Sequence, residues 1–421
     1  MQHLTTWIEE KLLQVNLVNT MDQAEGFSRL GYTKEEQASQ EQFRYIAKDL
    51  GLQTYQDAAG NQWALWKVDE AAGWIATGSH LDTVYNGGGY DGAAGVVASL
   101  AAVKLLKEQS FQPTKNIAVI AFACEESARF NVSTIGSKAI CGLLDKDKLA
   151  SLEDSSGITL KKAFTNCDLD WELLHEARLE DHQLEQFVEL HIEQAKKLEK
   201  SKRDIGIVQA IAQPTRLRIT SVGKTNHTGT TPMDERQDAL VAIAPIISFI
   251  EETTVDINQQ QNVPLVATVS TIQNSPNAIS MIPGEVVLVV DIRSTNAQAK
   301  HELVSRINNF ALAVQRDRPV VITIQTLVDD EPIQLDASIQ AKLTHICEKI
   351  GLSSMPLDSG AGHDVMNLAK RWPCGLVFIP CRDGVSHNPS EHADSEDLLK
   401  GTRVLAEYLR ETAGNDYSSL E

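Results

Sequence analysis

An α/β domain interrupted by a smaller α+β domain is the fold the sequence predicts. Three observations carry this. Short apolar runs alternate with helical stretches in the first third of the chain. Residues 213–328 then run strand, helix, strand, strand, helix, strand. After that segment the α/β rhythm resumes. The 421 residues suffice for two or three domains. The expected division is 1–212 and 329–421 as two parts of one domain, with 213–328 inserted between them.

The opening MQHLTTWIEEKLLQ reads as an amphipathic acidic helix, and residues 35–50 as a helix ending at Gly51. NQWALWKV (61–68) reads as a strand, and GWIATGSHLDT (73–83) as a buried strand running into a loop. Residues 92–109 form a strongly apolar helix. NIAVIAFACEE (116–126) is a short buried strand ending in acids. Strands alternating with helices predict a largely parallel sheet, and such sheets bind ligands beyond the carboxyl ends of their strands. In the insert, 215–222, 264–273, 285–294 and 320–328 read as strands, and 238–253 and 297–316 as helices. This is the split, ferredoxin-like order, with helices on one face of an antiparallel sheet. A helix at 338–351, a buried strand at 374–381 and a closing helix at 395–412 complete the first domain. No repeat or low-complexity tract interrupts this order.

Composition excludes several function classes. Apolar residues make up 42 % and charged residues 23 %, as in ordinary soluble globular proteins. With 57 acidic and 38 basic residues the net charge is −19, which is not the footprint of a nucleic-acid binder. An anionic substrate would need a local positive patch. No apolar run reaches 18 residues, so no membrane span is expected. The start lacks a basic and apolar leader pattern. Six scattered cysteines form no CxxC pair, and the expectation is a cytoplasmic protein with reduced thiols. A chain of this length buries a large core without staples, so a bound metal is expected to serve function rather than fold.

The polar residues at strand ends are the candidates for chemistry. His80 and Asp82 flank Leu81, and alternate residues of a strand share a face, so the two are expected on the same one. They are either a surface pair or a metal-binding imidazole with its carboxylate partner. Asp91 ends the run Asn86-Gly87-Gly88-Gly89-Tyr90, where it either caps the following helix or bridges two cations. The glycines have neither Walker nor dinucleotide spacing. Glu125 and Glu126 end a buried strand, an unusual place for two acids. One of them could bind metal while the other handles protons. The neighbouring Cys124 reads as a buried residue, not a nucleophile. His191, His227, His363 with Asp364, and His387 each fit a structural histidine taken singly. Together, three histidines and two acids at strand ends have the nitrogen and oxygen chemistry of a zinc- or manganese-type site.

Eight segments carry a family resemblance: GSHLDTVYNGGGYDGAAGV (78–96), ACEESARF (123–130), ELHIEQ (189–194), NHTGTTPM (226–233), PNAISMIPGEV (276–286), DIR (291–293), SGAGHD (359–364) and DGVSHNPSE (383–391). In this order they resemble the hydantoinase/carbamoylase branch of the aminoacylase-like binuclear metallohydrolases. That branch includes N-carbamoyl-L-amino-acid hydrolases, allantoate amidohydrolases, ureidoglycolate amidohydrolases and β-ureidopropionases. The likeness runs from about residue 26 to residue 410. It departs from the family pattern at Ala195-Lys196, Thr228 and Ser127-Ala128, and at no expected ligand.

The resemblance implies a mixed-sheet metallohydrolase catalytic domain with an inserted lid and dimerisation domain. It implies two divalent ions, zinc or manganese, one on His80 and His191, the other on Glu126 and His387, with Asp91 bridging. Glu125 would be the general base, and Asp82 would orient His80. His227, from the lid of a partner subunit, would stabilise the oxyanion. Gln194, Asn277, Arg293 and the loop at Gly360 would bind the substrate. The implied reaction is hydrolysis of a ureido amide on a small carboxylate, foremost an N-carbamoyl-L-amino acid. Allantoate or ureidoglycolate is the alternative, and an aminoacylase or dipeptidase the more distant one. The implied assembly is a homodimer. A positive pocket of two cations and Arg293 would reconcile an acidic protein with an anionic substrate.

Overall fold

A computed structural model describes residues 2–414 of the chain. Met1 and 415–421, which the terminal parts of the expected first domain include, lie outside the described residues. The chain divides into two compact units. The first comprises Met1–Gln209, Gln334–Leu357 and His363–Glu421, and the second Ala210–Ile333 with Asp358–Gly362. The sequence places the insert at 213–328.

The strands in chain order are β1 (Gln53–Gln56), β2 (Gln62–Trp66), β3 (Trp74–His80), β4 (Asn116–Phe122), β5 (Leu184–Ile192), β6 (Ile205–Ile211), β7 (Gln213–Val222), β8 (Val266–Ser275), β9 (Glu285–Ser294), β10 (Val321–Asp329), β11 (Ile333–Gln334), β12 (Ser354–Ser359) and β13 (Cys374–Ile379). Nine of them form one sheet in the order β1-β2-β4-β3-β5-β13-β6-β11, with β12 also paired to β6. Its centre is parallel. β4, β3, β5 and β13 run together, while β1–β2, β2–β4 and β13–β6 are antiparallel. The largely parallel expectation therefore holds for the four middle strands. Asn116–Phe122 is buried at every position, as a strand covered on both faces requires.

The helix Ala93–Glu108 explains how that centre is covered. Twelve of its residues are buried, and its side chains are mostly Ala, Val, Leu, Gly and Ser. Its small residues let it press closely on the sheet: a Cβ at Gly95 would fall 2.0 Å from the Leu190 carbonyl oxygen. The helices Gln2–Asn16 and Ser395–Ala413 add Leu4, Ile8, Leu12, Leu398, Leu405 and Leu409 to the same core. Each such side chain contributes roughly 1.5–3 kcal/mol by leaving water. No helix among the described residues is long and apolar enough to cross a membrane.

The second unit holds a four-stranded antiparallel sheet ordered β10-β7-β9-β8, with helices Ala239–Gln261 and Ala297–Asp317. Burial alternates along β7 and β9. Leu217, Ile219, Val286, Leu288, Val290 and Ile292 meet Ile243, Ile246, Leu303 and Ile307 from the helices. One face of the sheet thus carries both helices. The first helix runs to Gln261, beyond the expected end at 253, and ends on Asn262 in a left-handed conformation.

Candidate metal centre

Four neighbouring strands each deliver a site residue at their carboxyl ends. His80 is the last residue of β3, and His191 the penultimate residue of β5. Glu125 and Glu126 lie just past β4, and His387 follows β13. The sheet order β4-β3-β5-β13 sets these four ends side by side. Asp91 enters from the loop between β3 and the helix Ala93–Glu108. It does not cap that helix: Gly92 holds the cap position, with φ +63°, and makes no side-chain cap. A Cβ at Gly92 would fall 2.5 Å from the His80 ring, so glycine keeps Asp91 close to that imidazole.

The Asp91 carboxylate is shared between two groups. Its Oδ1 lies 3.0 Å from His191 Nε2 and 3.3 Å from His80 Nε2. Its Oδ2 lies 3.3 Å from His387 Nε2, which is itself 3.1 Å from Glu126 Oε1. Two potential donor sets result, His80–Asp91–His191 and Asp91–Glu126–His387, with ligand atoms within 4.8 Å of one another in each. All but His387 are buried, and the His387 side chain is 49 % exposed.

Backbone carbonyls fix two of the imidazoles. His80 Nδ1 donates to the Asp82 carbonyl oxygen at 3.0 Å, and His191 Nδ1 to that of Ile192 at 2.9 Å. Each ring therefore turns Nε2 toward Asp91, as a metal-binding imidazole does. His363 packs edge-on against His191, ring centroids 4.6 Å apart.

The expected His80–Asp82 contact differs in its atoms. β3 stops at His80, so the two residues do not share a strand face. The Asp82 carboxylate lies 3.5 Å from His80 Nδ1, farther than its own carbonyl oxygen. Its Oδ1 accepts the Glu125 amide at 3.0 Å and its Oδ2 the Glu126 amide at 2.9 Å. The carboxylate pins the turn that carries both glutamates.

The electrostatics call for positive charge. Burial works against ionised Asp91, yet the charges and hydrogen bonds of His191, His387 and His80 hold its carboxyl well below the usual range. Burial likewise works against charged His80 and His191, and the facing carboxylates push both up. Hydrogen bonds to Asp91 and Glu126 push His387 up to about 10. Burial pushes Glu125 well above the usual range and raises Glu126. An imidazole nitrogen 3.0 Å from a carboxylate oxygen needs a proton or a cation between them. Nitrogen and oxygen donors in this arrangement fit divalent ions of the zinc or manganese type. Burial pushes the Cys124 thiol well above its usual range, which suits an inert core residue.

Gln194 Nε2 donates to Asp91 Oδ2 at 2.7 Å, while its Oε1 is buried without a partner among the described residues. The remaining expected substrate-binding residues lie on the second unit. His227 Nδ1 accepts the Gly229 amide at 3.0 Å, so a neutral ring carries its proton on exposed Nε2. Asn277 has a positive φ of +53°. Arg293 Nε donates to Asp291 at 2.8 Å, and a Cβ at Gly360 would meet open space.

Sequence reasoning missed Glu189, Ser386 and Glu391 as parts of this site. Glu189 accepts from the Ser79 hydroxyl at 2.8 Å and from the Val365 amide at 2.9 Å. It stands two residues before His191 on one strand, so period-two alternation was a signal for it. Ser386 and Glu391 had no such signal, because the Tyr90–Asp91 segment they hold lies about 300 residues away.

The model of peptidase family M20/M25/M40 matches residues 74–411. The chain is 34 % identical over 413 residues to an allantoate amidohydrolase of Escherichia coli (strain K12), covering 98 % of each. It is 34 % identical over 381 residues to an N-carbamoyl-L-amino acid amidohydrolase of Geobacillus stearothermophilus, covering 90 % of this chain and 92 % of that one. The crystal structure of a hydantoinase/carbamoylase family amidase from Burkholderia ambifaria superposes with a TM-score of 0.83 at 29 % identity, over 97 % of this chain and 98 % of the other. The chain belongs to peptidase family M20/M25/M40 and, within it, to the hydantoinase/carbamoylase-type amidohydrolases.

Proposed function

We propose that the protein hydrolyses the ureido C–N bond of an N-carbamoyl-L-amino acid, with water, to the amino acid, ammonia and carbon dioxide. The observation that carries this reading is the split Asp91 carboxylate, with Oδ1 toward His80 and His191 and Oδ2 toward His387 beside Glu126. In this reading His80, His191 and Asp91 hold one divalent ion, and Asp91, Glu126 and His387 hold a second. Such a pair, when bound, polarises a carbonyl and acidifies water near neutral pH.

The chain's own groups supply the rest. Glu125 takes the proton from the attacking water and returns it to the leaving nitrogen. Its raised affinity for a proton suits that shuttle. Asp82 positions Glu125 and Glu126 through their amides. The unpartnered Oε1 of Gln194 is an acceptor for a ureido N–H. His227, with its proton on Nε2, is a donor for the developing oxyanion. Arg293, whose Nε edge Asp291 holds, keeps its terminal nitrogens for the substrate carboxylate, and Asn277 and the Gly360 loop are assigned to the same substrate.

We assign His227, Asn277 and Arg293 to a lid that acts in a homodimer. Support comes from β8, an edge strand of the second unit that exposes Val266 and Ile272. Six buried, unpaired thiols support a cytoplasmic setting.

Allantoate is a second reading, favoured by the Escherichia coli relative that spans 98 % of both chains. Ammonia release from N-carbamoyl-L-amino acids, allantoate, ureidoglycolate and N-acetyl-amino acids, with zinc or manganese supplied, separates the readings. The expected order puts carbamoyl amino acids first. Faster allantoate turnover would replace the substrate, and faster acetyl-amino-acid turnover would overturn the ureido assignment.

A further inference from the structure

Glu391 is a buried carboxylate that stands outside both donor sets. Its two oxygens hold two different loops. Oε1 accepts the amides of Tyr90 at 3.0 Å and Asp91 at 2.9 Å. Oε2 accepts the Ser386 hydroxyl at 2.8 Å and the His387 amide at 3.3 Å. The Ser386 hydroxyl also lies 2.9 Å from Asp91 Oδ2, so one proton stands between two carboxylates.

An independent feature prepares the place for this side chain. A Cβ at Gly88 would fall 2.2 Å from Glu391 Oε1 and 2.3 Å from its Cδ. The second glycine of the Asn86–Asp91 loop is therefore a socket for a carboxylate 303 residues away (391 − 88). A loop that served only to turn the chain would not need that empty volume.

The geometry points to Glu391 as a positioning residue that fastens the Asp91 loop to the His387 loop. It thereby holds Asp91 Oδ2, Glu126 and His387 within reach of one cation. This rests on the two-ion reading proposed above. Breaking the strut should loosen the His387 set more than the His80–His191 set, whose imidazoles are anchored on the carbonyls of Asp82 and Ile192.

Zinc or manganese titrated into the metal-free full chain, followed by calorimetry and metal analysis, tests this. The wild type should take two ions. Glu391→Gln should keep the first and bind the second ~10–100-fold more weakly, the usual cost of losing a partner of a metal ligand. Gly88→Ala keeps the negative charge but displaces it, and should give the same split. Ser386→Ala removes one link and should give a smaller one. Thermal melting of the metal-free proteins monitors folding, because a purely structural clamp would lower stability and leave the two affinities in their wild-type ratio. An unchanged ratio in all three variants would overturn the assignment of Glu391. A wild type that takes fewer than two ions would overturn the two-ion reading itself.

Discussion

The Asp82 carboxylate accepts the Glu125 amide at 3.0 Å, so the residue expected to orient a histidine also serves the glutamate turn. Its other oxygen takes the Glu126 amide at 2.9 Å. In Asp82→Asn one acceptor becomes a donor facing an amide N–H. Leaving a buried donor unpaired costs about 1–3 kcal/mol. Urea unfolding should show a loss of that size. Because the turn carries Glu125, kcat should fall while KM changes little. A normal kcat in a destabilised variant would confine Asp82 to folding.

Glu125 stands outside both donor sets, 3.9 Å from His80 Nε2. Glu125→Gln should therefore keep its metal content and lose turnover ~10²–10⁴-fold, the usual contribution of a positioned acid or base. Glu126→Gln should instead lose bound metal, because Glu126 faces His387 at 3.1 Å. Metal analysis beside kcat separates the two. Loss of an ion from Glu125→Gln would make Glu125 a ligand rather than a base.

The parts of this molecule legible in the sequence are those set by local pattern. The alternation in TRLRITSV and EVVLVVDIRS gives the sheet of the second unit, and buried acids after IAVIAFAC mark the end of β4. What local pattern does not carry is adjacency. Nothing in the chain states that β4, β3, β5 and β13 are neighbours, which is what assembles Glu126, His80, His191 and His387. Asp82 shows the same limit. Alternation leads to the His80–Asp82 contact but not to its atoms, because β3 stops at His80 and the Asp82 carbonyl oxygen comes closer than its carboxylate. Glu391 lies 300 residues from the Asp91 amide it accepts, beyond any spacing rule.

Asp204 offers a pH test away from the site. Burial works against its charge, but the Lys400 ammonium at 2.8 Å and the Ser353 hydroxyl and amide at 2.6 and 2.9 Å hold its carboxyl down to about 2. An unfolded Asp titrates at about 3.9. Ionised Asp204 therefore stabilises the fold above that value, and the contribution disappears as pH falls from about 4 through 2. With the side chain 27 % exposed, it amounts to about 1–2 kcal/mol. The melting-temperature gap between wild type and Asp204→Asn should be full at about pH 6 and close below about pH 2. A gap independent of pH would assign the stabilisation to hydrogen bonding alone.

Arg293 is held at one edge by Asp291, which also takes Arg216 Nε at 2.8 Å. That grip orients the planar head and leaves its two terminal nitrogens for a carboxylate. Lysine keeps the charge and loses the fork. Arg293→Lys should therefore raise KM for an N-carbamoyl-L-amino acid ~10–100-fold, the equivalent of a charge-assisted hydrogen bond of about 1.5–3 kcal/mol. The carboxamide analogue of the same substrate has no charge to clamp. It should react poorly with the wild type and no worse with Arg293→Lys. Measuring kcat/KM for both substrates on both proteins closes a cycle, and the coupling between Arg293 and the carboxylate is what it reads. Equal losses on the two substrates would place Arg293 in the folding of the second unit and require another group for the carboxylate.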